Sequence, residues 1–325
     1  MIITKTPLRI TFLGGNSDYP DYCKIKNGLT IGTTINKYIY IAYKDSLIRD
    51  NYNYKISYFD FERANQIKQL KHPFLKKIFQ KYKLNFKLDM NISSDVPASI
   101  GLGSSGAFSV GLVKLLDRVT NKKNKQDKDL FISSYEIERS LGNYVGYQDF
   151  VYPSFGGFSK VSYKNNKITV SKNYSKKNIS LIEKSISLIY LPRLKSTHIV
   201  TNHIKKRIVT SKVENLLDRI VEVTKDADKL LKSTNFNLAH FGELIDEYWK
   251  LKKNISSKIS NNKIEKIISD IQNFDIFGLK LLGAGSGGCI CIFSNTRTKK
   301  KLKEKYKNNF IDIKFIKNKS KIIEI

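Results

Sequence analysis

Between residues 97 and 107 the chain reads Pro-Ala-Ser-Ile-Gly-Leu-Gly-Ser-Ser-Gly-Ala. An alternating stretch, LNFKLDMNISSD (84–95), precedes it, and AFSVGLVKLLDRV (107–119), with helical apolar spacing, follows. A strand that turns through glycines directly into a helix is a restrictive arrangement. The glycines let backbone N–H groups turn inward and approach an anion. The helix start adds unpaired donors and the positive end of its dipole. Ser104 and Ser105 put two hydroxyls where a phosphate oxygen or a Mg²⁺ ion would lie. No Gly-Lys-Ser/Thr follows, so this is not a Walker A loop. The plainer alternative is a Gly/Ser turn with a serine N-cap.

Around this loop, strand-like and helix-like stretches alternate. Residues 1–12 read as a strand into a tight turn at Gly14-Gly15, 29–44 as a strand or hairpin, and 52–61 as a strand. Helical patterns cover 72–82 and 129–141, and 155–163 with 167–171 suggests a hairpin. The composition turns polar at 172–180, which places a domain boundary near 175. Beyond it come a strand at 185–192, a mostly helical 196–233, helices at 236–253 and 261–273, and strand, glycine turn, strand over 279–293. The helix around Trp249 looks like a core face with a basic outside. Two strand-like runs close the chain over 310–325. The expectation is an α+β protein of two units, 1–175 and 176–325.

Composition narrows the class. With 325 residues, 41% hydrophobic and 11% aromatic, the chain can bury a large core. No run approaches the roughly 20 apolar residues that span a bilayer. The three cysteines, Cys23, Cys289 and Cys291, show no metal spacing. A cytoplasmic protein with reduced thiols and no secretory leader is expected. Lys+Arg 58 against Asp+Glu 29 leaves +29, which would suit a polyanion binder. Only nine of the basic residues are Arg, however, and Asn, Ile and Tyr are abundant as well. Their codons, like those of Lys, are A/T-rich, so compositional drift is preferred over nucleic-acid binding.

The pattern PxxxGLGSSxA resembles the second motif of the GHMP kinases. Two further motifs stand in that family's order. Thr6-Pro7-Leu8-Arg9-Ile10-Thr11-Phe12-Leu13-Gly14-Gly15-Asn16-Ser17-Asp18-Tyr19 resembles the N-terminal sugar-kinase motif, and Lys280-Leu281-Leu282-Gly283-Ala284-Gly285-Ser286-Gly287-Gly288 the C-terminal glycine motif. The start PLRITFLGGNSD, the strand TTINKYIYI and the segment GYQDFVYPSFGGF (146–158) look most like the D-glycero-D-manno-heptose 7-phosphate kinases. Two departures stand out. Asn16-Ser17 replace the family's Gly and Thr before the Asp, and Phe150 stands where a Gln usually follows the catalytic Asp.

The resemblance implies a GHMP kinase fold, with a ribosomal protein S5 domain 2-like N-terminal domain and a ferredoxin-like C-terminal domain. It implies ATP on Pro97, Gly101, Leu102, Gly103, Ser104, Ser105, Gly106 and Ala107. Mg²⁺ would be held by Ser105 and Glu138, with Ser104 on the phosphate or the two serines exchanged. Asp149 would orient or deprotonate the acceptor hydroxyl, and Arg9 would neutralise a phosphoryl oxygen or lower the pKa of Asp149. On the acceptor side it implies Asp18 on sugar hydroxyls, Gly14 and Gly15 approaching the substrate, and Gly285 nearby. Arg193 and Lys195 would hold a phosphate on the acceptor. Without the family, Glu138 reads as a solvated helix charge, Asp149 as an N-cap or turn residue, and Lys195 as one surface lysine among many. The expected partner is a small sugar or sugar phosphate, phosphorylated at the anomeric hydroxyl in the heptose case. Galactose, fucose or mevalonate are alternative acceptors. No membrane or nucleic-acid partner is expected, and a homodimer is left open.

Overall fold

The computed structural model describes residues 1–44, 51–122, 124–165, 167–192 and 197–325. Arg193 and Lys195 lie outside the described residues.

A run of β-branched and aromatic residues builds β1 (Ile2–Leu13), buried on both faces from Thr6 onward. The short helix α1 (Pro20–Cys23) leads to β2 (Gly28–Lys44), which is one continuous strand and not a hairpin. The expected strand at 52–61 is instead a hairpin, β3 (Tyr54–Ser57) with β4 (Phe61–Ala64). Helix α2 (Pro73–Tyr82) and strand β5 (Leu88–Ser94) follow, then α3 (Ser104–Val119), α4 (Asp127–Ser140) and α5 (Gln148–Phe155). The strands β6 (Ser159–Lys164) and β7 (Lys167–Ser171) form the expected hairpin.

The second half runs α6 (Lys176–Ser185), β8 (Ile186–Leu191), α7 (Thr197–Val209), α8 (Glu214–Lys232), α9 (Leu238–Ile255) and α10 (Asn262–Gln272). Then come β9 (Ile276–Leu281), β10 (Gly288–Ser294), α11 (Thr296–Lys305), β11 (Phe310–Ile311), β12 (Phe315–Ile316) and β13 (Lys321–Glu324). Strands β11, β8, β10 and β9, in that order, make a four-stranded antiparallel sheet.

The first sheet has nine strands among the described residues, with β13-β1-β2-β5-β3-β4 as its main path. Its membership differs from a division at residue 175. Strand β13 pairs with β1, Ile2 opposite Glu324, and β12 pairs with β2. The closing residues therefore belong to the first sheet, because the free edge of β1 and the bend of β2 need partners for their N–H and C=O groups.

The two units share one aromatic centre. Phe12 packs within 5.5 Å of Phe158, 5.7 Å of Phe315, 6.1 Å of Phe293 and 6.4 Å of Phe241. Strand, hairpin, second sheet and α9 thus meet at one ring. Cys289 and Cys291 are fully buried on β10 as small packing residues outside any disulfide.

Candidate active site

Pro7 cannot donate to the sheet ladder, and the pairing of β1 with β2 shifts register between Pro7 and Arg9. Such an irregularity re-aims the strand. Beyond it the Arg9 N–H donates to Leu102 O at 3.0 Å, which ties β1 to the glycine loop. The Arg9 side chain then crosses the loop. Its Nη1 donates to Gly101 O at 2.9 Å, its Nε donates to Asp149 Oδ1 at 2.9 Å, and its Nη2 also donates to that oxygen. Arg9 is 4% exposed, so this ion pair sits at the floor of the site.

The loop enters α3 through Gly103, at φ +76°, a conformation that favours glycine. Ser104 and Ser105 form the first turn. Ser105 Oγ donates to Glu138 Oε1 at 2.9 Å. Ser109, one turn on, donates to Glu138 Oε2 at 2.9 Å, and Asn143 Nδ2 reaches Oε1 at 3.0 Å. Glu138 is buried, at 6% exposure, and aimed by three neighbours, so it is not a solvated surface charge. Ser104 Oγ is buried and finds no partner. The second glycine loop presses on the first as closely as backbones can. A Cβ on Gly283 would lie 2.6 Å from the Gly101 Cα. Cys289 N also donates to Ile100 O at 2.9 Å.

A cavity of about 310 Å³ opens between these groups. It brings together Arg9, Gly15, Gly101, Gly103, Ser104, Ser105, Glu138 and Asp149. Leu102, Gly106 and Ala107 are buried behind its wall, and Pro97 is exposed outside it. Gly106 has a packing task, since a Cβ there would stand 2.2 Å from Asp149 O. Gly14 packs on Leu29 and Gly285 on Ile259, so neither faces the cavity.

Asp18 corrects the expectation most. It is fully buried and does not line the cavity. Its Oδ2 accepts from Gln148 N at 2.9 Å, and its Oδ1 from Asn16 N at 3.0 Å and Gln148 Nε2 at 3.2 Å. Three protein donors already occupy its two oxygens. Burial pushes it up to about 7, against the lowering effect of the Gln148 N–H, with the charge of Asp149 adding.

Several wall residues escape sequence reading. Lys280 is 2% exposed, and its Nζ donates to Thr11 O at 3.0 Å and Phe12 O at 2.7 Å. Burial pushes its ammonium well below the ordinary lysine range, with Lys252 and Arg9 adding. Lys252, 3% exposed, donates to Leu281 O at 3.1 Å and Gly283 O at 2.7 Å. A lysine inside the apolar run IFGLKLL was the available signal for Lys280. Lys252 follows Tyr248 by one helical turn on the face that packs inward, so the core face of α9 is not wholly apolar. Asn16, Tyr19, Tyr144, His198 and Thr201 also line the cavity. The rings of Tyr19 and Tyr144 stack at 4.5 Å, and Asn16 Nδ2 is buried without a protein partner.

An arginine-bound carboxylate, a hydroxyl–carboxylate pair and a glycine cradle around one cavity are the parts of a phosphoryl-transfer site. Comparison with known proteins agrees with that class. Residues 67–157 match the GHMP kinases N terminal domain and residues 229–312 the GHMP kinases C terminal domain. The chain belongs to the GHMP kinases, which transfer a phosphoryl group to a hydroxyl. It is 29% identical to a D-glycero-alpha-D-manno-heptose 7-phosphate kinase of Campylobacter jejuni, over 90% of this chain and 89% of that one. It is 30% identical to a mevalonate kinase of Methanocaldococcus jannaschii, over 68% and 65%. The fold superposes on a D-glycero-D-manno-heptose 1-phosphate kinase of Bacteroides thetaiotaomicron with a TM-score of 0.77, at 21% identity, covering 100% and 99%. A phosphomevalonate kinase of Streptococcus pneumoniae, solved with phosphomevalonate and AMPPNP, superposes at 0.72 and 16% identity, covering 99% and 100%. At those identities the structures speak for the fold, the two-unit α+β arrangement expected from the sequence. No helix among the described residues is long and apolar enough to cross a membrane.

Proposed function

We propose that this kinase transfers the γ-phosphoryl group of ATP to a hydroxyl of a sugar phosphate, with the anomeric hydroxyl of D-glycero-D-manno-heptose 7-phosphate as the leading acceptor. The observation that carries the chemistry is the placement of two carboxylates around one glycine cradle. Glu138 is bound to Ser105, and Asp149 is bound to Arg9. The likeness to the Campylobacter jejuni enzyme, over nine-tenths of both chains, supports the heptose.

Each residue has a derived task. The first turn of α3 offers N–H donors and the Ser104 hydroxyl to phosphate oxygens. Ser105 and Glu138 would hold Mg²⁺, a hard cation that takes one carboxylate, one hydroxyl and phosphate oxygens without a larger protein cage. Among the described residues no cluster of three His, Cys, Asp or Glu competes for it. When bound, the ion neutralises charge on the phosphates. Asp149 accepts the proton of the attacking hydroxyl, or its hydrogen bond, from the cavity floor. Arg9 fixes the carboxylate's direction through Oδ1 and leaves Oδ2 for the acceptor. Asn16, Tyr19, Tyr144 and His198, which line the same cavity, would receive the acceptor. The +29 charge keeps nucleic-acid binding as a remote second reading, for which this site would have no use.

The test is coupled ADP release with MgATP against heptose 7-phosphate, mannose, galactose, fucose and mevalonate, with Asp149→Ala as control. Turnover with the heptose phosphate alone, lost in the variant, is the expected result. Turnover on a free sugar alone would keep the kinase and overturn the acceptor. Arg193→Ala and Lys195→Ala should raise KM for a phosphorylated acceptor and leave that of a free sugar unmoved.

A further inference from the structure

Asp18 is left without a task at the cavity, yet it is among the most fully bonded side chains near it. We propose that Asp18 is a positioning residue: from behind the cavity wall it braces the first turn of α5, and through that turn it sets Asp149 against the acceptor hydroxyl. The inference rests on the kinase reading above.

The contacts converge on the residues just before Asp149. Asp18 Oδ2 accepts from the backbone N–H of Gln148, and Oδ1 accepts from the Gln148 side chain. The Asp18 carbonyl accepts from Tyr147 N at 3.2 Å. Tyr147 is the N-cap of α5 and supplies no side-chain cap of its own, so Asp18 caps the helix from a distant part of the chain. A carboxylate also complements the positive end of the helix. Gly146 is shaped to this contact, since a Cβ there would lie 2.1 Å from Asp18 Oδ2. Gly-Tyr-Gln-Asp is then one device. Gly146 admits the brace, Gln148 receives it, and Asp149 is held from in front by Arg9.

The brace is chargeable near neutrality. Its ionisable neighbours are Tyr19 and Cys23 beside it, Tyr144, Tyr147 and Tyr152 around α5, Tyr163 on β6 and Tyr248 on α9. Burial pushes each of these phenols, and the thiol, upward, so all stay neutral at pH 7. Asp149 and its partner Arg9 are the charges in front. As pH falls through about 7, Asp18 takes up a proton and its charge-assisted bonds to Gln148 weaken.

The experiment is steady-state kinetics of the full chain and of Asp18→Asn with MgATP and heptose 7-phosphate from about pH 5.5 to about pH 9, a range that spans neutrality, with melting curves at each pH. The expected result is a kcat lowered roughly ten- to a hundredfold. Acceptor KM should stay within about twofold. The melting temperature at high pH should be unchanged or higher, and the acidic limb of kcat near neutrality should be absent. A residue that only held the fold together would lower the melting temperature instead. A large rise in acceptor KM at unchanged kcat would mean that Asp18 meets the acceptor, and would overturn the proposal. Unchanged kinetics would overturn it too. Should Asp18→Asn not fold, Gly146→Ala keeps the carboxylate but blocks its approach, and must give the same loss of kcat. If the wild type turns over no acceptor, the kinase reading has failed and the brace is judged by NMR. The Gln148 amide must then shift with the Asp18 carboxyl at one midpoint near 7, and an amide that does not follow would refute the brace.

Discussion

Two parts of the cavity wall are built in different ways. The part at Gly101–Ser105 is made by chain neighbours, and backbone N–H groups and a helix start are its working parts. Any sequence that makes this turn makes this cradle. The other part draws Asn16 and Tyr19 from one loop, Tyr144 from another, and His198 and Thr201 from α7. There the working parts are side chains on unrelated segments. A phosphate is the same in every nucleotide, so one local solution serves. An acceptor has to be told from its relatives, and that takes side chains placed from several directions.

Four changes would break or sharpen this contrast. Asp149→Ala should cost most, roughly 10²–10⁴-fold in kcat with ATP binding intact. An active variant would remove Asp149 from the chemistry of the site. Glu138→Gln comes next and should raise the Mg²⁺ needed for half-maximal rate by roughly 10–100-fold. Acceptor KM should not follow, which a Mg²⁺ titration at fixed ATP will check. Asn16→Ala should raise acceptor KM by roughly tenfold, the equivalent of one buried hydrogen bond, and leave ATP KM alone. Should ATP KM move instead, the division of the wall into two parts is wrong.

The smallest effect is on stability. Lys280→Met removes the links from β9 to the carbonyls of Thr11 and Phe12, worth about 1–3 kcal/mol. The pH dependence gives the sign. The folded ammonium titrates below its unfolded value of 10.5, so the unfolded chain holds more protons between the two. Wild-type stability should therefore climb as pH rises through that window, and the Met variant should lack the climb in thermal melts. Asp18 acts in the opposite sense. Its carboxyl is raised from 3.8 to about 7, so its ionisation weakens the fold as pH rises across that interval, by an amount on the order of 4 kcal/mol. A carboxylate retained at such a cost is consistent with a use outside stability.

The same contrast explains what could be read from the chain alone. The 101–107 turn was legible because its chemistry is local. Glu138 and Asp149 became candidates only through the family pattern, since nothing in the sequence shows that Ser105 and Ser109 will point at one and Arg9 at the other. Asp18 was expected at the acceptor because position in a motif does not reveal burial. Helix α5 was not expected, for it is eight residues long, contains Pro153 and takes its cap from residue 18. Lys252 was hidden by Lys250 and Lys253 on the same helix, and Lys280 by a lysine-rich composition. Strand-like runs at the end of the chain were visible, but a pattern of alternation names no partner.

That partner has a kinetic consequence. Strand β1 carries Arg9, and its outer edge is closed by β13, with Lys5 opposite Lys321. A ribosome makes those two residues far apart in time. Until β13 emerges, the edge of β1 stands open with its ladder groups unpaired. Contacts so remote in sequence are slow to form. The arginine that holds the candidate catalytic carboxylate thus lies on a strand whose sheet waits for residues made long after it.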